Sequence, residues 1–473
     1  MRSDGASIAS VSNLLQDVED FKSLEELCIG LAKCFLEKCL EELDEYLLKN
    51  KPKGYICVGF RERTLQTRVG DIRLRRRFYV RATKKRRRGE KGRFLLDEAL
   101  KIPARKSIVG GLLKLAVSLS TRLPFRGVSE VLEEAGFGYI SHQMIHNIVK
   151  EYGKRQIEHV DSLRKGLFLE GKEPAGKKEK VPILFIEADG VHVNSQETNN
   201  RSMEIKLGAV HEGWEENGNK KNRRLKNLRV FMSLNKGGDA FWEEFMVQLL
   251  KHYEINENVV IVVNGDGAEW IQRKVKEYFP QAIVQIDRFH LIRDVYRAFG
   301  SDAKKLIEIL NDGGVTTFLD TLESLECQGA TPKARLRRKQ LVGFLRRYEE
   351  HLLDYRLRLP EHIDKSGLYG MGAAETLVDK KLANRMKKRG MRWSRSGAHS
   401  MAVLLMLKSN KQLFSWLDEA FLSVPTNPRK ELKKYTNRST SGEWLQKSLA
   451  IISTSRPWQK ALMNIVTPKF EII

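Results

Sequence analysis

The sequence predicts a mixed α/β protein whose sheet region is flanked by wholly helical stretches. Before residue 170 the apolar residues recur largely at helical spacing, whereas several short apolar runs typical of strands follow residue 181. Between residues 181 and 290 these runs form three strands and then a helix–strand–helix–strand series, the order expected of a mixed sheet. Residues 291–370 are again helical in pattern and rich in Arg and Lys.

The length and charge of the chain limit its class. With 473 residues it is too long for one ordinary hydrophobic core, so we expect about two to four structural units. The 84 Lys and Arg residues exceed the 60 Asp and Glu residues and give a net charge of +24. This excess favours a polyanionic partner, and nucleic acid is preferred over a membrane surface because neutralising phosphates releases condensed counterions. An apolar fraction of 41% argues against general disorder.

We expect a cytoplasmic protein. The most apolar window starts at Ile108, and Lys114 interrupts it before it reaches the length of a membrane-spanning helix. The N-terminus lacks the compact apolar segment of a secretory signal. The five cysteines form no CxxC pair, so we predict buried thiols and no zinc site; they are Cys28, Cys34, Cys39, Cys57 and Cys327.

Two different patterns occupy the N-terminal region. Residues 1–50 predict one or two amphipathic helices, because leucines and cysteines recur at helical spacing with charges between them. Such a helix packs against the rest of the protein or dimerises. Residues 51–106 form a basic region in which "RTLQTRVGDIRLRRRFYVRA" alternates around a turn at Val69, Gly70 and Asp71, the pattern of a β-hairpin.

A run of positive charge, "TKKRRRGEKGR", follows the predicted hairpin at residues 83–93. It is either a solvated loop or a segment that straddles a phosphate backbone, and the sequence leaves both interpretations open. On the second interpretation, the candidate DNA contacts of this region are Arg75, Arg76, Arg77, Lys84, Lys85 and Arg86.

Residues 107–170 predict helices with the layout of a helix-turn-helix. One amphipathic helix closes at Gly136, a short turn carries Gly138, and Ser141 is well placed to cap a second helix. In a helix-turn-helix the second helix would face a major groove. The alternative is a pair of helices that binds nothing, with solvated histidines. The candidate groove-facing residues are His142, Gln143, His146 and Asn147.

Three acidic residues stand apart from the surface charges. Asp189 ends the first strand-like run, Asp266 follows the apolar run "VVIVVNG", and Glu375 opens a predicted helix in residues 371–422. A carboxylate buried at a strand end is costly unless it binds a cation or makes charged hydrogen bonds. Carboxylates suit Mg²⁺ or Mn²⁺, and two such ions about 4 Å apart can act on a phosphodiester. Each aspartate alone fits a turn, but together they indicate a metal site.

Further residues near these acids suit DNA chemistry. His290 follows another apolar strand together with Asp287, and it could contact a scissile phosphate or a metal, or merely take part in a helix cap. Downstream, basic residues beside an aromatic one suit a DNA track in which Trp393 stacks on an unpaired base, although a core tryptophan is an equal alternative. The residues of this track are Lys387, Lys388, Arg389, Arg392 and Trp393.

Four motifs together carry a family resemblance: "FIEADGVHV", "NGDGAEWI", "IDRFHLIRDV" and "AAETLVDKKLANRMKKRGMRWSRSGAHSMA", with "LLDEALKIP" and "YISHQMIHNIV" upstream. The set resembles the DDE transposases of bacterial insertion sequences, specifically the ISLre group, relatives of the Mutator-type transposases. The match is ordered and covers roughly residues 60–420. The resemblance implies a ribonuclease H-like core that cuts at transposon ends and joins the freed 3′-hydroxyl to target DNA with two Mg²⁺ or Mn²⁺ ions.

The resemblance also assigns residues and partners. It implies that Asp189 and Asp266, on the first and fourth strands, and Glu375, on a later helix, hold the metal ions, with His290 beside them. Residues 291–370 become an all-α insertion in a core made of residues 181–290 and 371–422. The implied partners are double-stranded DNA, namely terminal inverted repeats and target DNA, and a second copy of the chain, in the bacterial nucleoid.

Several alternatives remain at this point. A ribonuclease H-like nuclease or resolvase would cut DNA without joining it, and a non-catalytic DNA-binding regulator would use its acids structurally. Asp379 lies one turn beyond Glu375 and competes with it for the third acidic position. Glu187 shares a strand face with Asp189, so it is either a ligand or a neighbour of the ligands. Residues 423–473 match no motif, and their role is left open.

Overall fold

The computed structural model describes residues 18–82, 92–104, 106–197, 201–215, 224–234, 237–327 and 331–422. The predicted contacts Lys84, Lys85 and Arg86, and residues 423–473, lie outside these ranges. The chain divides into two compact units. One consists of Met1–Ile148 with Phe414–Thr436, and the other of Val149–Leu413 with Asn437–Ile473.

The first unit combines helices with a two-stranded antiparallel hairpin. Its elements are α1 (Phe21–Lys49), β1 (Tyr55–Thr67), β2 (Gly70–Arg81), α2 (Leu95–Ala99), α3 (Gly110–Ser120) and α4 (Phe125–Glu134). The hairpin is confirmed, although its turn is Arg68–Val69, one residue earlier than expected, because Thr67 already pairs with Gly70. Gly70 has a φ of 93°, a left-handed conformation that favours glycine after a tight turn.

The core of this unit lies between α1 and the hairpin. Leu40 of α1 packs with Leu65, Ile72 and Leu74 of the two strands and with Leu96 of α2. Asp20 caps α1 by accepting a hydrogen bond from the Ser23 amide at 2.7 Å. The buried stripe of α1 consists of leucines four and three residues apart, so one face of this long helix is fixed on the hairpin.

The prediction of buried thiols was wrong. Cys28, Cys34, Cys39 and Cys327 are exposed, and Cys57 is half-buried. The three cysteines of α1 lie on faces other than the leucine stripe, so the helix packs against the hairpin without covering them.

The predicted helix pair is present in residues 125–170. α4 is followed by Gly136 and Gly138 at positive φ, and the Ser141 hydroxyl caps the next helix by accepting the Met144 amide at 3.2 Å. That helix, α5 (His142–Glu170), has 29 residues. It is therefore far longer than the second helix of the predicted motif requires.

The second unit contains a five-stranded mixed sheet. Its strands are β3 (Ile183–Asn194), β4 (Ser202–His211), β5 (Arg229–Ser233), β6 (Val260–Gly265) and β7 (Ile283–Ile286). They lie in the order β5-β4-β3-β6-β7, and β4 alone runs antiparallel to its neighbours. α6 (Gly238–His252) precedes β6, and two short helices, α7 (Glu269–Gln272) and α8 (Val275–Tyr278), precede β7. The expected series of strands and helices is confirmed.

A helical subregion follows the sheet. Its helices are α9 (Arg288–Phe299), α10 (Ala303–Asp312), α11 (Gly314–Glu326), α12 (Pro332–Arg347) and α13 (Tyr355–Arg358). The apolar faces of α9 to α12 form one cluster that includes Val295, Leu306, Phe318 and Leu345, whereas Tyr355 of α13 packs in another cluster with Phe185 and Val262 of the sheet. The prediction of helix up to residue 370 was wrong at its end, since residues 359–373 form neither helix nor strand.

The chain returns to the sheet through a series of helices. α14 (Ala374–Val378) continues through a wide helical turn, Asp379–Ala383, into α15 (Asn384–Met386), and α16 (Arg395–Ser409) and α17 (Leu413–Leu422) follow. The opening of a helix near Glu375 is therefore confirmed. Among the described residues, no helix is both long and apolar enough to span a bilayer.

Candidate metal centre

Asp189 lies inside a strand, which corrects the expectation that it ends one. β3 pairs with β6 only as far as Ala188, opposite Gly265, whereas its pairing with β4 continues to Asn194. Gly190 is therefore paired within the sheet and does not form a turn. Because β6 ends beside Ala188, the residue after β6, Asp266, comes close to Asp189 at the same edge of the parallel strands.

Local hydrogen bonds orient both aspartates. Asp189 is 5% exposed, and its Oδ1 accepts the amide of Gly190 at 2.7 Å. Asp266 is half-buried, and its Oδ1 accepts the amide of Ala268 at 2.9 Å in the loop before α7. In each case one carboxylate oxygen is held by the backbone, which leaves the other available to a cation.

His290 completes a group of three possible ligands. Asp287 caps α9, and its Oδ1 accepts both the amide of His290 at 3.1 Å and the ring Nδ1 at 3.0 Å. This contact leaves the Nε2 of His290 as the atom that can face a metal, the usual arrangement of a carboxylate behind a ligating histidine. Ligand atoms of Asp189, Asp266 and His290 all lie within 4.8 Å of one another.

The electrostatics of the group favour a cation. Burial and then the charge of Asp266 raise the pKa of Asp189 to about 6, and burial also raises the pKa of Asp266. The hydrogen bond that His290 donates to Asp287 raises the pKa of His290. Burial alone would raise the pKa of Asp287, but hydrogen bonds from His290 and Asn264 outweigh burial and lower it. Two neighbouring carboxylates that resist ionisation, with an oriented imidazole, form a donor set that fits a divalent metal.

Glu375 lies close to this group but is not part of it. It is exposed in the first turn of α14, and its charge adds to the burial and Asp266 effects that raise the pKa of Asp189. The competing residue, Asp379, is exposed and pairs with Lys388 at 2.9 Å. The structure thus brings Asp189, Asp266 and His290 together and leaves Glu375 at the margin of the group.

Glu187 is a neighbour of the ligands and contacts other groups. Its side chain is fully buried, its Oε1 accepts the amides of Gly372 at 3.0 Å and Ala373 at 3.1 Å, and its Oε2 accepts Nδ2 of Asn264 at 3.1 Å. Burial raises its pKa. Sequence reasoning missed Asn264, although a lone amide in the apolar run "VVIVVNG" is a signal that could have indicated it.

The basic track downstream of Glu375 is only partly exposed. Lys387 and Arg392 are exposed, whereas Lys388 pairs with Asp379. The side chain of Arg389 lies outside the described part of the structure. Trp393 is 5% exposed and donates its Nε1 hydrogen to the carbonyl of Met386 at 2.9 Å, so it is a core residue and the expectation of base stacking is corrected.

In the first unit, the three arginines of β2 that were predicted to contact DNA differ in direction. Arg75 is exposed, with its guanidinium 4.2 Å from the ring centre of Phe60. Arg76 is buried and forms an ion pair with Asp97, so the expectation that it contacts DNA is corrected by its burial.

Arg77 likewise pairs with the buried Asp44 at 2.8 Å, which leaves it little freedom to reach a phosphate. The predicted groove-facing side chains of α5 fit their expected exposure: His142, Gln143 and Asn147 are exposed, and His146 is half-buried.

A mixed α/β fold with a buried Asp–Asp–His group at one edge of its sheet defines a candidate metal-binding α/β protein. The chain belongs to the family described as "Uncharacterised protein family (UPF0236)", whose model matches residues 13–415.

Relatives in two organisms are similar over most of the chain. A UPF0236 protein in the vanSb 3′ region of Streptococcus gallolyticus is 25% identical over 426 residues, which cover 85% of this chain and 86% of that protein. Two UPF0236 proteins of Caldanaerobacter subterraneus subsp. tengcongensis are 25% identical over 394 and 397 residues, covering 82% of this chain and 76% of each relative. Their names join eleven and four locus designations, respectively.

Proposed function

We propose that this protein is a DDE transposase of a bacterial insertion sequence, of the ISLre group, with a ribonuclease H-like core. The observation that carries the proposal is the convergence of Asp189 and Asp266, from the first and fourth strands of the sheet, with His290. The sequence resemblance assigns the first two metal-binding acids to those two strands, and the geometry supports that assignment.

The side chains of the site would hold two Mg²⁺ or Mn²⁺ ions. Asp189 and Asp266 are placed to bind a cation directly, Glu375 approaches from α14, and His290 offers Nε2 to a metal or to the scissile phosphate. When bound, such ions activate a water or 3′-hydroxyl and neutralise the leaving oxygen of a phosphodiester. Asp287 fixes the His290 ring, so that neither ring rotation nor a change of tautomer is needed during the reaction.

Gene copy number in a relative also supports a mobile element. One family member in Caldanaerobacter subterraneus subsp. tengcongensis carries a name that joins eleven locus designations. One protein encoded at many loci of a single genome is the expected result of an element that copies itself. Neither a nuclease nor a regulator with a fixed cellular role would require so many loci.

DNA is the proposed partner of the whole chain, in the form of terminal inverted repeats and target DNA. The net charge of +24 provides the sequence-independent attraction to phosphates. In the described part of the first unit, Arg75, His142, Gln143 and Asn147 are the predicted DNA contacts whose side chains are exposed. Because two element ends must be joined to one target, the active form would contain at least two copies of the chain.

The test uses the purified full-length protein and duplex oligonucleotides that carry the ends of the insertion sequence encoding it. We expect Mg²⁺-dependent cleavage at the ends and joining of the 3′-hydroxyl to a target plasmid. Asp189→Asn and Asp266→Asn should each reduce cleavage about a thousandfold, equivalent to about 4 kcal/mol of transition-state stabilisation. Glu212→Gln is a matched control, because Glu212 is a buried acid of the same unit that bonds Tyr253 and Asn227.

The three possible outcomes separate the alternatives. Cleavage that persists in both aspartate variants would show that the metal centre is misassigned. Cleavage without joining would favour the nuclease or resolvase, and binding without cleavage would favour the regulator.

A further inference from the structure

A largely buried chain of hydrogen bonds lies behind the candidate metal centre. Asn264 is completely buried on β6, and its amide group donates to Glu187 at 3.1 Å and to Asp287 at 2.8 Å. Its Oδ1 accepts Nε2 of Gln285 at 3.2 Å. Such a network stabilises an apolar interior only when its polar atoms all have hydrogen-bond partners, and the side-chain nitrogen and oxygen of Asn264 both have them here.

The chain of hydrogen bonds ends on the backbone that precedes α14. One oxygen of Glu187 accepts the amides of Gly372 and Ala373, which are 185 and 186 residues away in sequence. Gly372 has a φ of 139°, which side chains rarely tolerate, and a Cβ there would lie 3.6 Å from Oδ2 of Asp287. The segment is therefore bonded to Glu187, and Gly372 lies next to the carboxylate of Asp287.

This contact is one anchor of the segment that carries Glu375, and the buried residues Ala374, Leu377 and Val378 of α14 provide another. Residues 359–373 form neither helix nor strand, and α14 has only five residues before a wide helical turn. Although the helical path continues through this turn into α15, its direction still depends on tertiary contacts, because most helical stability comes from packing. Two backbone amides directly before α14, three and two residues before Glu375, are bonded to one carboxylate and hold the start of the helix.

We propose that Glu187 is a positioning residue that holds Glu375 at the metal centre. Through Asn264 the same hydrogen bonds reach Asp287, which orients His290. Glu187 on β3 therefore helps to align both the histidine and the third acid with Asp189. The proposal rests on the proposed function, since it assigns a role relative to that metal site. It gives Glu187 no direct contact with metal or DNA.

The test is Mn²⁺ binding by the full-length protein, measured by electron paramagnetic resonance without DNA. Glu187→Gln places an amide N–H group opposite the N–H donors of Gly372, Ala373 and Asn264. It should therefore weaken Mn²⁺ binding roughly tenfold, which is the lower end of the range for residues that orient ligands. Glu375→Ala should weaken binding similarly. In the double variant the losses should not add, because both changes remove the same ligand.

A second variant guards against misfolding of Glu187→Gln. Ala373 has a φ of −75°, which proline adopts, so Ala373→Pro removes one hydrogen bond to Glu187 at the first turn of a helix, where proline is tolerated. It should also weaken Mn²⁺ binding, and this loss should disappear in a Glu375→Ala background. Glu212→Gln is the control and should bind Mn²⁺ as the unmodified protein does.

The outcomes distinguish this inference from the proposed function. If Asp189→Asn and Asp266→Asn leave Mn²⁺ binding unchanged, the metal centre itself is refuted. Suppose instead that those variants abolish Mn²⁺ binding. The positioning inference is then overturned if Ala373→Pro leaves Mn²⁺ binding unchanged, or if the losses of Mn²⁺ affinity in Glu187→Gln and Glu375→Ala add in the double variant. Either result would give Glu187 only a structural role.

Discussion

Asp189 lies on a buried strand beside a second carboxylate, and its environment opposes its own charge. Burial and the charge of Asp266 raise its pKa to about 6, well above the ordinary value of an aspartate. Between the ordinary value and about 6, the folded protein holds the proton more tightly than the unfolded chain does. Stability of the metal-free protein therefore falls as pH rises through this window, and the loss is complete at neutral pH.

We accordingly expect Asp189→Asn to stabilise the metal-free protein at pH 7.5. The Tm should rise by roughly 2–4 °C for each kcal/mol gained, and the gain should largely vanish near pH 3, below the ordinary pKa of an aspartate, where Asp189 is mostly protonated in both states. The measurement is thermal unfolding in chelator at both pH values. Asp97→Asn is the contrasting variant and should lower the Tm, because Asp97 pairs with Arg63 at 3.1 Å and with Arg76. A lower Tm for Asp189→Asn at pH 7.5 would contradict the electrostatic account.

The hairpin β1–β2 carries both arginines that form buried ion pairs and arginines that are exposed to solvent. Alternation along β2 directs Arg76 into the unit and Arg75 outward. Arg76 contacts the ring of Phe94 at 3.7 Å and pairs with Asp97, whereas Arg75 stacks on the exposed ring of Phe60. The run "RLRRR" shows the alternation, but only the packing of α1 and α2 decides which face is buried.

This difference gives a paired prediction for DNA binding. Arg75→Ala should keep the Tm, weaken binding to duplex DNA, and reduce the slope of log K against log salt by about one. Arg76→Ala should instead destabilise the fold by roughly 3–5 kcal/mol, because it leaves Asp97 buried without one of its partners. Fluorescence anisotropy over a salt series and thermal unfolding separate the two effects. If Arg75→Ala left the affinity for DNA unchanged, this face of the hairpin would not be part of the DNA-binding surface.

At the scale of the molecule, the second unit contains four buried or half-buried histidines whose surroundings favour the neutral form. Burial lowers the pKa of His211, His252, His351 and His399 to about 4 each. The unfolded chain takes up these protons near pH 6.5, whereas the folded unit resists them until about pH 4. The neutral histidines therefore contribute stability above pH 6.5, and this contribution is lost as pH falls towards 4.

We expect the unfolding free energy of the protein to fall between pH 7 and pH 5, despite the opposite contributions of Asp189 and His290. Denaturant unfolding at constant ionic strength measures this slope. In His211→Phe the slope should be shallower, because the ring that stacks on Phe185 at 5.2 Å no longer titrates. A slope unchanged by this substitution would show that His211 is not held neutral by burial.

The sequence by itself determined the series of strands and helices, the basic character of the chain and the acids of the site, because apolar periodicity and net charge are local or additive properties. Asp189 and Asp266 could be singled out because each follows apolar strand residues. The tertiary structure alone decided that Asp189 lies within a strand, since β4 pairing extends β3 beyond the point where β6 ends.

Long-range contacts likewise decided the roles of several side chains. Glu187 bonds amides more than 180 residues away, Trp393 points into the core, and Arg76 faces inward to Asp97. No periodicity in the sequence specifies such partners, because the direction of a side chain depends on which remote segment covers its face. Local sequence was therefore enough to single out the acids. Which acid is a ligand and which is a supporting residue is decided only by the packing of β3, β6 and the segment before α14.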